Sequence, residues 1–207
     1  DRMAEPNTPI SSKVIADILH SVSINHIITI DLHSAQTQGF FDMTIENITL
    51  EKQFADYISN HFKNDSFAIA SPDAGGVKRA RKIADLVYCN DVIIIDKNRY
   101  VKNKSKVMNI IGDPKDKNII IVDDMIDTAG TICHAATALK EHGAKHVSVM
   151  ATHPVFSGHA YENLSSEDID RVIVTNTLGI KPEFSKADII DVSGILAENI
   201  YQIFSHK

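Results

Sequence analysis

Short apolar runs separated by helical patterns recur along most of the 207-residue chain. From residue 67 onwards, β-branched runs alternate with stretches in which apolar residues return every three or four positions. The pattern predicts strands at 67–70, 92–95, 119–122, 147–151, 172–174 and 189–192, and helices near 77–88, 129–142 and 194–204. This alternation predicts an α/β fold in which helices cover both faces of a parallel sheet.

The first fifty residues follow a different pattern. Thr8 and Pro9 form the hydroxyl-then-proline pair that is typical of a helix start, and apolar residues at helical spacing predict a helix over 9–22. A short buried strand is predicted at 26–30, directly before Asp31 and His33. A second helix is predicted between 50 and 62 from apolar residues four positions apart.

Composition narrows the class of protein. The chain is 43% hydrophobic and 23% charged, with a formal charge of −6, so a disordered chain or a coiled coil is excluded and a general nucleic-acid binder is disfavoured. No long apolar run or charged-then-apolar leader occurs, so neither a membrane span nor secretion is predicted. Cys89 and Cys133 lie far apart, which predicts free thiols and a cytoplasmic protein.

The most informative segment runs from residue 119 to residue 131. An apolar strand is predicted to end in Asp123 and Asp124, and a short turn containing Asp127 and Thr128 leads into a helix at about Ala129. Backbone N–H groups at a helix start bind anions, whereas carboxylates suit sugar hydroxyls or a divalent cation. A helix cap with solvated acids explains any one of these residues but not their combination, so the segment predicts a site for a pentose 5-phosphate.

Two other polar segments follow predicted strands. Asp31 and His33 flank one residue, so their side chains point to the same side, and their oxygen and nitrogen donors suit a hard cation such as Mg²⁺. A hydrogen-bonded structural pair is the alternative for these two residues.

After the strand at 92–95, residues 100–106 have little to bury, which predicts a mobile loop with Lys97 and Arg99 at its base. From these residues alone, a solvated surface loop is the favoured explanation of the segment.

The sequence resembles a known family in these same segments. The stretch VDDMIDTAGT at 122–131 resembles the ribose-phosphate binding signature of phosphoribosyltransferase-fold proteins, in the form found in the ribose-phosphate pyrophosphokinase (PRPP synthetase) family. The resemblance continues through DLH at 31–33, QGFFD at 38–42, SPDAGGVKRAR at 71–81, VMNIIGD at 107–113 and THP at 152–154. It therefore covers nearly the whole chain in order.

The resemblance implies an enzyme that transfers the pyrophosphoryl group of Mg-ATP to the C1 hydroxyl of ribose 5-phosphate, giving PRPP and AMP. The implied ribose 5-phosphate site consists of Asp123, Asp124, Asp127, Thr128, Ala129, Gly130 and Thr131. The implied metal ligands are Asp31, His33, Asp42, Glu46 and Asp73, and His33 is also implied to bind ATP. Lys97 and Arg99 are implied to stabilise the transition state; Asn98 and Glu46 depart from the family's usual Arg and Asp.

The resemblance also implies the organisation of the chain. Residues 1–49 would be the C-terminal part of a first domain that is truncated in front, and residues 50–191 a second, similar phosphoribosyltransferase-like domain. Residues 192–207 would form a closing helix that packs on the first domain. A homo-oligomer, commonly a hexamer, is implied, with no nucleic-acid or membrane partner.

Two other functions use parts of the same pattern. A phosphoribosyltransferase would use the loop at 122–131 to bind an activated sugar, but it would not need the segments at 31–33 and 71–76. A non-catalytic regulatory subunit would keep the fold, although such paralogues tend to alter the region around Lys97 and the two adjacent carboxylates at Asp123 and Asp124, which are intact here.

Overall fold

The computed structural model describes residues 1–63, 65–97 and 108–205, with Lys97 and Met108 described by their backbone alone. Its helices are α1 Ser11–Ser21, α2 Glu51–His61, α3 Val77–Leu86, α4 Gly130–Glu141, α5 Ala160–Leu164 and α6 Ser193–Ser205, with a 3-10 helix at Ala35–Phe40. Its strands are β1 His26–Ile30, β2 Thr44–Ile48, β3 Phe67–Ser71, β4 Val92–Lys97, β5 Met108–Ile111, β6 Asn118–Ile126, β7 His146–Pro154, β8 Arg171–Thr175 and β9 Ala187–Ile190.

The chain divides into two compact units, Asp1–Leu50 and Glu51–Lys207. The larger unit contains a seven-stranded sheet in the order β5-β4-β3-β6-β7-β8-β9. Neighbouring strands from β4 to β9 are parallel, and only the edge pair of β4 and β5 is antiparallel. The prediction of an α/β fold with a parallel sheet is confirmed, whereas the antiparallel edge strand was not predicted.

Helices cover both faces of the larger sheet. In the central strand β6, Ile119, Ile120 and Ile121 are all fully buried, although adjacent residues of a strand face opposite sides. One face packs against α4 and α5 in a core that includes Ile132 and Leu164. This two-sided burial explains why the strand is a continuous apolar run rather than an alternating one.

Strand β6 is longer than the sequence predicted. The sequence predicted an apolar strand over 119–122 that ends in Asp123 and Asp124, but β6 continues to Ile126. The extension pairs with the end of β7, where Asp123 lies opposite Ala151 and Met125 opposite His153. The hydrogen bonds that the neighbouring strand offers keep the segment extended beyond the two carboxylates.

The smaller unit contains a two-stranded parallel sheet, in which β1 pairs with β2, together with α1 and the 3-10 helix. The predicted cap of α1 is wrong, because the helix starts at Ser11 and Ile10 occupies the N-cap position. The Thr8 hydroxyl instead accepts a hydrogen bond from the Glu5 N–H at 3.2 Å and donates one to the Glu5 carbonyl at 2.7 Å. Strand β2 and the 3-10 helix were not predicted, since neither has a long periodic pattern.

Candidate functional site

The carboxyl ends of β3, β4, β6 and β7 lie side by side at one edge of the larger sheet. Parallel α/β sheets place ligands at this edge, because the loops that leave the strands there meet around a common crevice. The edge carries the turn that follows β3, the end of β4 at Lys97 and the loop that joins β6 to α4. The candidate site is therefore built from segments that are far apart in the sequence.

The loop between β6 and α4 consists of Asp127, Thr128 and Ala129. Ala129 has a φ of +59°, in the left-handed region that non-glycine residues rarely adopt. It occupies the N-cap position of α4, where its methyl side chain offers no hydrogen-bond acceptor to the first turn. The helix therefore starts without a side-chain cap, which leaves the positive end of its dipole suited to an anion.

Two adjacent acidic residues precede this loop within β6. Asp124 is only 6% exposed, and its backbone N–H donates a 2.9 Å hydrogen bond to Oδ1 of Asp123. Burial and the neighbouring Asp124 carboxyl raise the pKa of Asp123 to about 7, with a smaller contribution from the charge of Asp73. The pair thus concentrates acceptor oxygens in a place where a second negative charge is disfavoured, which suits hydroxyl donors or a cation.

The segment after β7 holds the β6–α4 loop in place. The Phe156 and Ser157 N–H groups donate to the carbonyls of Ile126 and Asp127, at 3.0 and 3.1 Å, and the Ser157 hydroxyl donates to Oδ1 of Asp127. The Asn163 side chain donates to the Thr128 carbonyl at 2.8 Å. Sequence reasoning missed Ser157 and Asn163. Their only signal was position in the sequence, because Ser157 follows the predicted strand at 147–151, which is the next one along the chain after the strand that leads to Asp123.

The turn that follows β3 is fixed by its own residues. Oδ1 of Asp73 accepts hydrogen bonds from the N–H groups of Gly75 and Gly76, at 2.9 and 3.0 Å, and the Ser71 hydroxyl donates to the Asp73 carbonyl at 2.6 Å. At least one oxygen of the predicted ligand Asp73 is therefore engaged within the turn. Because β3 pairs with β6, this turn leaves the sheet beside the strand that carries Asp123, and the charge of Asp73 contributes to the raised pKa of Asp123.

One of the two residues predicted to be catalytic, Lys97, lies at the end of β4. Lys97 is the last residue of that strand, and its backbone pairs with that of Met108 in β5. Lys97 is thus placed at the same edge of the sheet as the β6–α4 loop, whereas Arg99 lies outside the described residues.

The remaining predicted ligands belong to the smaller unit. Asp31 follows β1 with a φ of +42° and is 5% exposed, and its N–H donates to the Ile48 carbonyl at 2.8 Å. His33 is exposed two residues further on. Asp42 and Glu46 each face a basic side chain instead: Asp42 lies 3.6 Å from Nζ of Lys13 and Glu46 lies 3.1 Å from Nε2 of His26.

Within residues 1–63, 65–97 and 108–205, no group of three or more His, Cys, Asp or Glu side chains is arranged to hold a metal ion. Over the same residues, no helix is both long enough and apolar enough to cross a membrane.

The fold and the site define an α/β protein with a strand–loop–helix anion site beside paired carboxylates. Residues 76–207 match the family model described as "Phosphoribosyl synthetase-associated domain". The whole chain is 46% identical to ribose-phosphate pyrophosphokinase of Campylobacter jejuni and, over 214 aligned residues, 47% identical to that of Shewanella oneidensis. The chain belongs to the ribose-phosphate pyrophosphokinase family.

A solved structure supports this membership. The crystal structure of phosphoribosylpyrophosphate synthetase from Mycobacterium smegmatis matches with a TM-score of 0.92 and 35% identity, over 100% of this chain and 68% of that one. The chain spans 66% of the length of the Campylobacter and Shewanella relatives.

Proposed function

We propose that the protein transfers the pyrophosphoryl group of ATP to the C1 hydroxyl of ribose 5-phosphate, giving PRPP and AMP. The observation that carries this proposal is the combination on β6 of two adjacent carboxylates, Asp123 and Asp124, with an uncapped helix start one short loop away. Anion and diol recognition at that separation suits a pentose phosphate. The names of the relatives and of the matched structure support the same reaction.

In this proposal the β6–α4 loop binds the sugar phosphate. Asp127, Thr128, Ala129, Gly130 and Thr131 surround the 5-phosphate, with backbone N–H groups at the start of α4 as donors. Asp123 and Asp124 accept hydrogen bonds from the 2- and 3-hydroxyls of the ribose. Such contacts orient the C1 hydroxyl towards the nucleotide, and positioning is the main contribution that a protein makes to this type of transfer.

The transfer itself is a displacement at phosphorus. The C1 hydroxyl loses its proton to solvent as its oxygen bonds to the β-phosphorus of ATP, the bond from that phosphorus to the α,β-bridging oxygen breaks, and AMP leaves with the electron pair. Lys97 and Arg99 donate to the migrating group and stabilise the charge that develops on it. The position of the Lys97 backbone at the carboxyl end of β4 supports this role.

We propose Mg²⁺ as the metal, which neutralises the triphosphate charge. Mg²⁺ keeps several waters and needs only one or two protein ligands beside the substrate phosphates, so the buried Asp31 with His33 fits without a three-ligand cluster. His33 would also contact the ATP. Asp42 and Glu46 fit less well because Lys13 and His26 face them, and Asp73 retains at most one oxygen outside its own turn.

The assembly and location are part of the same proposal. Exposed apolar side chains on α6, including Ile200 and Tyr201 at 42% and 68% exposure, support a homo-oligomer, for which we propose a hexamer. The use of ATP and the unpaired Cys89 and Cys133 support a cytoplasmic enzyme. No nucleic-acid or membrane partner is proposed.

The reaction is tested by incubating the full-length gene product with ATP, Mg²⁺ and ribose 5-phosphate, without any nucleobase, and measuring AMP. Release of AMP that requires the sugar phosphate supports the proposal. Absence of AMP, together with PRPP consumption when a base is added, would establish a phosphoribosyltransferase instead. A protein that is inactive in both assays would be a regulatory subunit.

The role of Lys97 has its own test. Lys97→Ala is expected to lower turnover about 10²- to 10³-fold, because a donor to the transition state is removed. The matched control is Lys52→Ala, which removes an exposed lysine from α2 and should leave turnover unchanged. Near-normal turnover in Lys97→Ala would show that this lysine does not act on the migrating group.

A further inference from the structure

Residues 155–164, which we name the buttress segment, run from the end of β7 to the end of α5 and donate hydrogen bonds to the end of β6 and to the β6–α4 loop. Their hydrogen bonds reach three consecutive residues, Ile126, Asp127 and Thr128. Two of the donors are side chains, the hydroxyl of Ser157 and the amide of Asn163.

The bond from Ser157 bears on the chemistry of the loop. Asp127 places a carboxylate within a loop that is proposed to bind a phosphate, and two anions repel one another more strongly the closer they lie, so the position in which the carboxylate is held affects phosphate binding. The Ser157 hydroxyl donates to one oxygen of that carboxylate, and the Ser157 N–H donates to the Asp127 carbonyl. The side chain and the backbone of Asp127 are therefore both fixed by a single residue thirty positions away.

The buttress segment is itself firmly anchored. Phe156 is 7% exposed and packs edge-on against Tyr161 and Phe184, with ring centroids 5.2 and 6.1 Å apart. Ala160 and Leu164 of α5 are fully buried. Ser157 is exposed between these buried residues, so its hydroxyl can be removed without opening the core.

The loop needs this external support. Ala129 holds a left-handed conformation that its sequence does not favour, and it provides no cap for α4. A strained residue persists only where surrounding contacts determine its geometry. The Asn163 amide donates to the Thr128 carbonyl, directly before the strained residue, and so fixes the peptide group that leads into it.

We propose that Ser157 and Asn163 are positioning residues, which hold Asp127 and Thr128 in the geometry that binds the phosphate of ribose 5-phosphate. This inference rests on the proposed function and adds two residues to it. Neither residue contacts the reacting atoms in this proposal. They act through the loop, so their loss weakens sugar-phosphate binding more than the chemical step.

The test uses the full-length gene product and AMP release under varied ribose 5-phosphate or ATP. Ser157→Ala and Asn163→Asp are each expected to raise the KM for ribose 5-phosphate roughly 5- to 20-fold, as loss of one hydrogen bond to a charged or buried group does. The KM for ATP, kcat and the unfolding temperature should stay close to wild type. Ser157→Thr, which keeps a hydroxyl, should restore most of the affinity.

The matched control is Ser165→Ala. The Ser165 hydroxyl donates to the Tyr161 carbonyl at the end of α5, so this substitution removes a hydrogen bond from the same region without touching the loop. An unchanged KM for ribose 5-phosphate in Ser157→Ala and Asn163→Asp overturns the inference while leaving the proposed function intact. If the KM for ribose 5-phosphate and the KM for ATP rise together and the unfolding temperature falls, the inference is also overturned, and the two residues have a structural role instead. Failure of the wild type to release AMP overturns the proposed function and the inference with it.

Discussion

Two strand-to-helix connections, which follow the adjacent strands β3 and β6 of the larger sheet, are held in place by different kinds of hydrogen bond. In the β3–α3 turn, Oδ1 of Asp73 accepts the N–H groups of Gly75 and Gly76, so the turn satisfies its own backbone. In the β6–α4 loop, Asp127 and Thr128 accept hydrogen bonds from the side chains of Ser157 and Asn163, which lie 30 and 35 residues further along the chain. The β3–α3 turn, which we call the closed turn, is determined locally because its own carboxylate bonds its backbone. The β6–α4 loop, which we call the open connection, is fixed from outside, and the helix start that follows it is left for a ligand.

The largest difference between the two connections is expected when a methyl group is added to Gly130, the first residue of α4 after the open connection. A Cβ at Gly130 would meet only Oγ1 of Thr128, at 3.9 Å, so Gly130→Ala should fold normally. Its stability should be unchanged or up to about 1 kcal/mol higher, because Ala favours a helix over Gly. If the 5-phosphate approaches this backbone, the methyl displaces it, and kcat/KM for ribose 5-phosphate should fall about 10- to 100-fold.

Gly194→Ala is the matched control for that prediction. Gly194 also lies in the first turn of a helix, and a Cβ there would meet nothing within 4 Å. Both variants should have the same or higher stability in chemical denaturation, but only Gly130→Ala should lose activity. Equal kinetics in the two variants would show that the start of α4 is not the phosphate site.

The closed turn should respond in the opposite way. A Cβ at Gly76 would lie 2.7 Å from Oγ of Ser71, which is fully buried and already bonded to the turn. Gly76→Ala should therefore lower the free energy of unfolding by about 1–3 kcal/mol through overpacking. The KM for ribose 5-phosphate should change little in the protein that remains folded.

A double variant checks the cause of this loss. Ser71→Ala removes the atom that the new methyl group would meet, so Ser71→Ala/Gly76→Ala should be less destabilised than the sum of the two single variants. Additive losses in denaturation would mean that the Ser71 hydroxyl is not the source of the strain.

Acid–base behaviour distinguishes the carboxylates of the open connection. Because burial and Asp124 raise the pKa of Asp123 to about 7, the folded state keeps a proton that the unfolded state has released above pH 4. Stability from this group is fully present below the unfolded pKa and is lost as the pH rises through 7, with a slope of the order of 1 kcal/mol per pH unit at most. Asp123→Asn cannot titrate, so its stability relative to wild type should increase between pH 5 and pH 7.5.

Urea denaturation of both proteins at several pH values measures this difference. Asp170→Asn provides a contrast, since Lys140 and His146 hold the pKa of Asp170 below its ordinary value despite its partial burial. That variant should lose stability relative to wild type at neutral pH. A constant difference between wild type and Asp123→Asn across the range would contradict the raised pKa.

The smallest effect is expected at Asp73. Asp73→Asn keeps an oxygen that can accept from Gly75 and Gly76, so the turn should lose only about 0.5 kcal/mol of stability, whereas Asp73→Ala should lose about 1–2 kcal/mol. Thermal unfolding of the two variants measures the difference. Equal losses would show that the acceptor role in the turn is unimportant.

Much of this protein follows from local pattern. The apolar run at 119–122 predicted the central strand because it is buried on both faces, and the helices α2, α3, α4 and α6 followed from their periodicity. The turn after β3 is also a local feature, since Asp73 bonds the backbone of Gly75 and Gly76 within the same short segment.

Other features were decided by the tertiary structure. Pairing with β7 extended β6 beyond Asp123 and Asp124 to Ile126, although the sequence predicted that the strand ends at these two carboxylates. The left-handed conformation of Ala129 could not be read from an alanine, because its cost is met by contacts elsewhere in the fold. The predicted cap of α1 was wrong because the Thr8 hydroxyl bonds to the backbone of Glu5 rather than to the first turn of the helix.

The sequence by itself determined the fold class and the family, and it predicted the residues that bind the sugar phosphate, because strand burial, helix periodicity and the VDDMIDTAGT segment are all local properties of the chain. Only the tertiary structure decided what holds that chemistry in place. Ser157 and Asn163 reach the β6–α4 loop because β7 lies next to β6, and strand adjacency is a property of the sheet rather than of any segment within it.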